Sequence, residues 1–237
     1  MKKYEVLAFD LDDTLIDNLK SMKYAFSAVC HFLGILYNND ISEQWLHFDN
    51  EFWCDWQNGN IKIPDDTKNW VEYIRSLRFY RFFAYLSIDF KTAIHLNTLY
   101  CDNLEGCIEP IEGARKTLEK LQNSYKLMIA TNGVKNLVTK KLEVIGASAF
   151  FSGIICSEDI GANKPHALFF ENLIAKCNCN KDKILLIGDS LTSDILGGMN
   201  NGIDTVWFNP THKPLPNEYS PTFEISELLE LTRKLSR

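Results

Sequence analysis

The chain has 237 residues, 46% of them hydrophobic, seven cysteines and a formal net charge of −6. That length holds one large domain, or a domain carrying an insertion, without a disulfide staple, and an odd cysteine count at irregular spacing fits free thiols in a reducing compartment, so the cytoplasm is the expected location. The acidic balance and the lack of a basic block exclude a nucleic-acid polymer as the expected partner, and no apolar run nears the roughly 20 residues that a membrane span requires.

The apolar run "YEVLAF", Tyr4 to Phe9, reads as a buried strand and leads through "VLAFDLDDTLIDN", Val6 to Asn18. The aspartates that follow cut this run short, so it is not read as a secretory signal. Asp10, Asp12 and Asp13 crowd the strand end. Carboxylates about 4 Å apart at an effective dielectric near 20 repel by about 4 kcal/mol, which calls for a compensating cation.

Asn18 to Ile111 is far longer than the dozen or so residues of a single crossover, so a module is inserted there. Within it Met22, Ala25, Phe26, Val29, Phe32 and Leu33 keep helical spacing, and "WVEYIRSLRFYRFFAYLSI" is apolar almost all round. Tyr24 to Tyr100 holds eighteen of the chain's aromatics, which predicts a helical unit with its own core and an aromatic-lined ligand surface. Arg75, Arg78 and Arg81, three apart, read as one helical edge facing water.

Beyond the insertion, helical and strand patterns alternate: "EGARKTLEKLQ", then "YKLMIA", "VKNLVTKKLEVIG", "GIICS", "PHALFFENLIAKC", "KILLIG", "LTSDILGGMNNG" and "IDTVWF". A proline-rich irregular connection, "NPTHKPLPNEYSP", leads to a final helix expected from Ile225 onward. The alternation predicts an α/β fold with a doubly wound parallel sheet, its core formed by residues 1–17 and 105–237 and a helical cap by 18–104. Cys177 and Cys179 lack a second ligand pair for zinc, and neither H-E-x-x-H nor a strand-borne G-x-G-x-x-G is present.

Ligands of such sheets bind beyond the carboxyl ends of the strands. Asp10 and Asp12 leave the first strand there, Thr131, Asn132 and Gly133 the second, and Asp189 and Asp194 follow "KILLIG", while Lys164 precedes Pro165 in a loop that opens a helix. Each piece alone reads as a turn, a cap or a surface lysine; four pieces in this order at strand ends point to one crevice. Clustered carboxylates there suit Mg²⁺, which binds through a few carboxylates while keeping waters and a phosphate oxygen. Lys164, Thr131 and neighbouring N–H groups suit the charge on a transferring phosphoryl group.

At this point the chain resembles the haloacid dehalogenase-like hydrolase superfamily, through "DLDDT" (10–14), "ATN" (130–132), "NKP" (163–165) and "GDSLTSD" (188–194). The resemblance implies that Asp10 is the nucleophile and Asp12 the general acid and base. It implies that Thr131, Asn132 and Lys164 hold the phosphoryl group, and that Asp10, the Asp12 carbonyl and Asp189 ligate Mg²⁺, with Asp194 orienting metal-bound water or Lys164. "FWCDWQNGNI" and "GIDTVWFNPTHKPLPNEYSPTFEISEL" further resemble the bacterial pyrimidine 5′-nucleotidases of this superfamily. The implied substrate is a pyrimidine nucleoside monophosphate, deoxy forms included, acted on by a monomer or homodimer. The competing readings are a phosphatase for a sugar phosphate or phosphoglycolate, a 2-haloacid dehalogenase, a phosphomutase and a non-catalytic phospholigand-binding module. An acid at Asp12 argues against the dehalogenase, and the intact motifs argue against the last.

Overall fold

Val6–Phe9 forms β1, a strand buried on both faces, and its apolar run is continuous because each face of the sheet is covered by helices. The computed structural model of the chain describes residues 4–236. The other strands are β2 (Lys126–Thr131), β3 (Phe151–Cys156), β4 (Ile184–Gly188), β5 (Asp204–Phe208) and β6 (Phe223–Ile225). They form one sheet in the order β3-β2-β1-β4-β5-β6, every neighbour parallel. The order runs outward in both directions from β1 and β4, so the connections diverge beside the end of β1, the place where such sheets bind ligands.

The chain divides into two compact units, Met1–Asn18 with Ile108–Arg237, and Leu19–Cys107. The second unit is helical: α1 (Asn18–Phe32) leads into it, followed by α2 (Asn39–Gln57), α3 (Trp70–Phe82) and α4 (Phe90–Leu104). The amide groups opening three of these helices are taken by side chains: Asn38 accepts from the Ile41 amide, Asn69 from Glu72 and Asp89 from Thr92. Separate helices at α2 and α4 went unassigned in the sequence, although these caps mark their starts. The aromatics pack mainly on one another, Trp45 stacking on Phe26 at 4.9 Å and on Phe79 at 4.7 Å between ring centroids.

Arg78 departs from the expected water-facing edge. It is 4% exposed, its guanidinium is ion-paired with buried Asp49, and it lies 4.9 Å from the Trp53 ring centroid. Because α3 is apolar on most of its circumference, spacing alone could not show which arginine turns inward, and the partner that makes burial tolerable lies 29 residues away.

In the first unit, α5 (Ala114–Leu121), α6 (Lys135–Val144), the single turn α7 (Ser157–Ile160), α8 (Ala167–Cys177), α9 (Gly197–Asn201) and α10 (Leu228–Leu235) follow the strands. Leu118, Val138, Leu142 and Leu231 join Leu7, Phe9, Ile129 and Ile187 in one core layer. Phe169, Phe170 and Leu173 join Val6, Ala8, Met128 and Leu186 in the other. Alternate residues of each strand therefore feed opposite layers.

Two boundaries differ from expectation. The final helix begins at Leu228 rather than Ile225, because Phe223–Ile225 first extends the sheet beside β5 and a reciprocal Glu227–Glu230 capping box then starts α10. The run after β4 is two segments: a wide π turn over Leu191–Leu196, in which the Ile195 amide donates to Ser190 O at 3.2 Å, and then α9. Among the described residues, no helix is long and apolar enough to cross a membrane.

Candidate active site

The register of the sheet sets the site. Phe9 pairs with Ile129 and with Ile187, so the chain leaves β1, β2 and β4 at one level, and the Asp10 amide donates to Ile187 O at 2.8 Å. Asp10 follows β1, Thr131 ends β2, and Asp189 follows Gly188 at the end of β4.

Lys164 reaches this level from the loop between α7 and α8 and is 1% exposed. Its Nζ donates to Asp10 Oδ1 at 2.7 Å, Asp194 Oδ1 at 2.6 Å and Ala130 O at 2.8 Å, which uses all three ammonium protons. Asn132 secures the loop that carries it: Asn132 Oδ1 accepts from the Lys164 amide at 2.8 Å and Nδ2 donates to Lys164 O at 3.1 Å. Both ends of that side-chain amide are thus engaged by the Lys164 backbone. Thr131 is buried beside them, its Oγ1 accepting from the Gly133 amide at 3.1 Å.

Asp194 is turned inward by the wide π turn, and its Oδ2 accepts from the Ser190 amide at 3.1 Å. It packs so closely on the end of β4 that a Cβ on Gly188 would lie 2.2 Å from Asp194 Cγ, so a side chain at 188 would displace the carboxylate. Asp189 accepts from the Thr14 hydroxyl at 3.3 Å through Oδ1, and its carbonyl accepts from Trp207 Nε1 at 2.9 Å. Asp10, Asp189 and Asp194 each place one carboxylate oxygen within 4.8 Å of the others.

Burial pushes the Asp10 carboxyl up to about 7, against the pull of the Lys164 ammonium. Asp189 is raised well above the usual carboxylate range, by burial first and then by the charges of Asp10 and Asp194. Asp13 is pushed up to about 6 by burial and by neighbouring Asp12. Burial disfavours the Lys164 charge, but Asp10 and Asp194 outweigh it and hold the ammonium above its ordinary range. Three carboxylates with one ammonium among them leave an excess of negative charge on oxygen-only donors. That donor set fits a hard divalent cation such as Mg²⁺.

The Asp12 side chain stands outside this trio. Its carboxylate is ion-paired with the ammonium of Lys141 from α6, which also donates to Asn18 Oδ1 at 3.2 Å. Lys141 was missed in the sequence, yet a signal was there: it stands three residues after Val138 and one before Leu142, on the stripe of α6 that faces the core. A buried lysine on an apolar stripe needs an anion within reach, and the half-buried Asp12 supplies it. Thr14, Ser190 and Trp207 also went unremarked, since their contacts depend on neighbouring strands and turns.

Residues 63–208 match the family model described as haloacid dehalogenase-like hydrolase. The Bacillus subtilis HAD-hydrolase YfnB is 33% identical over 98% of this chain and 95% of that protein. Its solved structure, bound to magnesium, gives a TM-score of 0.88 with all of both chains covered. The pyrimidine 5′-nucleotidase PynA of Streptococcus pneumoniae is 30% identical over 96% of this chain and 93% of its own length. The pyrimidine 5′-nucleotidase YjjG of Escherichia coli is 26% identical over 99% of both. The four motif segments, the divergent parallel sheet that brings them to one level, and likeness to these proteins along the full chain agree: the chain belongs to the haloacid dehalogenase-like hydrolases.

Proposed function

We propose that the chain is a Mg²⁺-dependent phosphomonoesterase that works through an aspartyl-phosphate on Asp10 and acts on pyrimidine nucleoside 5′-monophosphates, deoxy forms included. The observation that carries the reading is the sorting of the acids: Asp10 lies on Lys164 within a trio of carboxylates, while Asp12, two residues on, is held apart by Lys141. The substrate class rests on the relatives named as pyrimidine 5′-nucleotidases.

In this reading Asp10, Asp189 and the Asp12 carbonyl hold the cation, with Asp194 beside them. When bound, Mg²⁺ neutralises enough charge for a phosphate dianion to approach an anionic nucleophile. An Asp10 oxygen attacks phosphorus in line as the bond to the ester oxygen breaks, and Asp12 gives its proton to the leaving alkoxide. Asp12 then takes a proton from the water that attacks the mixed anhydride, which frees phosphate and restores Asp10. Splitting the reaction this way replaces attack of water on a monoester, among the slowest uncatalysed reactions, with hydrolysis of a reactive anhydride. Thr131 and the backbone N–H groups after β2 take up the transferring oxygens, and the Lys164 ammonium, its protons already given to Asp10, Asp194 and Ala130, offsets their charge.

The test compares dUMP and dTMP with ribose 5-phosphate, which presents the same phosphate on a pentose without a base. Engaging a base by stacking is worth about 1–3 kcal/mol, so kcat/KM is expected to be at least about tenfold higher for the nucleotides. Equal efficiency on ribose 5-phosphate or phosphoglycolate would overturn the nucleotidase assignment and leave the phosphatase chemistry standing.

A further inference from the structure

Two buried lysines hold three of the carboxylates of this site. Lys164, from the loop before α8, takes Asp10 and Asp194; Lys141, from α6, takes Asp12 and Asn18 Oδ1. We propose that Lys141 is a positioning residue, which holds the Asp12 carboxylate out of the Asp10–Asp189–Asp194 trio and fixed for proton transfer. This rests on the reading of Asp12 as the acid and base given above.

Both ends of the tether are anchored. Val138 and Leu142, on either side of Lys141, are buried in the core layer under the sheet, so the lysine backbone cannot shift without disturbing that layer. On the other end, the Asn18 amide donates to Asp13 Oδ1 at 3.1 Å and the Asp13 amide donates to Ile16 O at 2.8 Å, which ties down the loop that carries Asp12. Lys141 itself is 2% exposed, so its ammonium has no water shell to turn to, and a buried ammonium depends on the anion that it faces. Asp12 follows Asp10 by two residues, and a carboxylate this close to a cation-binding trio has an alternative use as a further ligand. Lys141 competes for it. The Asp12 backbone remains free to offer its carbonyl while its side chain is kept for the leaving group and the attacking water.

The experiment uses the Mg²⁺-loaded full chain with Lys141→Met, Lys141→Arg, Asp12→Ala and the Asp12→Ala/Lys141→Met pair. Turnover is measured on p-nitrophenyl phosphate, whose leaving group needs no proton, and on dUMP, whose alkoxide does. Lys141→Met is expected to lower kcat/KM for dUMP, which reports the steps up to departure of the leaving group, by about 100-fold, and kcat/KM for p-nitrophenyl phosphate far less, while kcat, which includes the shared hydrolysis of the anhydride, falls on both. Lys141→Arg, which keeps a cation on Asp12, recovers most of the loss. In the Asp12→Ala background, Lys141→Met adds less than about twofold, because it acts through the residue already removed. Equal losses of kcat/KM on both substrates, or additive losses in the double variant, would make Lys141 a structural residue only. If Lys141→Met does not fold, Lys141→Gln carries the same comparison. Should Asp12→Ala itself be insensitive to the leaving group, the acid assignment fails; selectivity in Asp12→Ala without selectivity at Lys141 overturns the Lys141 proposal alone.

Discussion

Asp10→Asn is expected to lower kcat for dUMP by about 10⁴-fold or more and to leave no phosphoenzyme, because an amide oxygen is too weak a nucleophile to form the anhydride. The substitution is nearly isosteric, and the amide oxygen can still accept the 2.7 Å hydrogen bond from Lys164, so the fold should survive. Acid quenching after milliseconds, followed by intact-protein mass measurement, reads the result. The unaltered chain gains one phosphoryl group in the burst and Asp10→Asn gains none. A phosphorylated Asp10→Asn would move the nucleophile elsewhere.

Lys164→Met is expected to damage both catalysis and the metal-free fold. It removes the ammonium from between Asp10 and Asp194, and breaking a buried pair by deleting one partner costs about 3–5 kcal/mol. Loss of charge on the transferring oxygens should lower kcat/KM by about 100- to 1000-fold. The pH dependence has a definite sign. The folded-state pKa of Asp10 lies near 7, above the ordinary 3.8, so across that interval the folded chain keeps a proton that the unfolded chain releases. Stability of the metal-free protein is therefore fuller at low pH and declines as pH rises towards the folded value. Without Lys164 that decline should steepen, and added Mg²⁺ should recover more of the melting temperature at about pH 8 than at about pH 5, where protons compete for the same oxygens. A Lys164→Met melting curve that shows no dependence on pH or Mg²⁺ would contradict the electrostatic account.

The core was legible where a residue's role follows from its own strand. Continuous apolar runs announced β1 to β5 because helices cover both faces, and Asp10, Thr131 and Asp189 could be placed because each closes or follows such a run. β6 was hidden in a proline-rich connection, since three residues at a sheet edge carry too little pattern to separate from an irregular chain. The motif singles out Asp194 but not the π turn that points it at Lys164, because a helical run in sequence gives no sign of one extra residue per turn. Lys141 and Arg78 illustrate one limit. Each is a buried cation whose anion, Asp12 or Asp49, lies well away along the chain, so a lysine on an apolar stripe or an arginine in an apolar helix shows that a partner is needed without naming it.

In the proposed mechanism a divalent cation, held by Asp10, Asp189 and the loop at Asp12, lets a carboxylate attack a phosphate. Phosphate release from dUMP, measured on protein stripped with EDTA and then titrated with Mg²⁺, tests it most directly. No release is expected from the stripped protein, with full recovery on adding Mg²⁺; undiminished release in metal-free buffer would remove the cation from the mechanism.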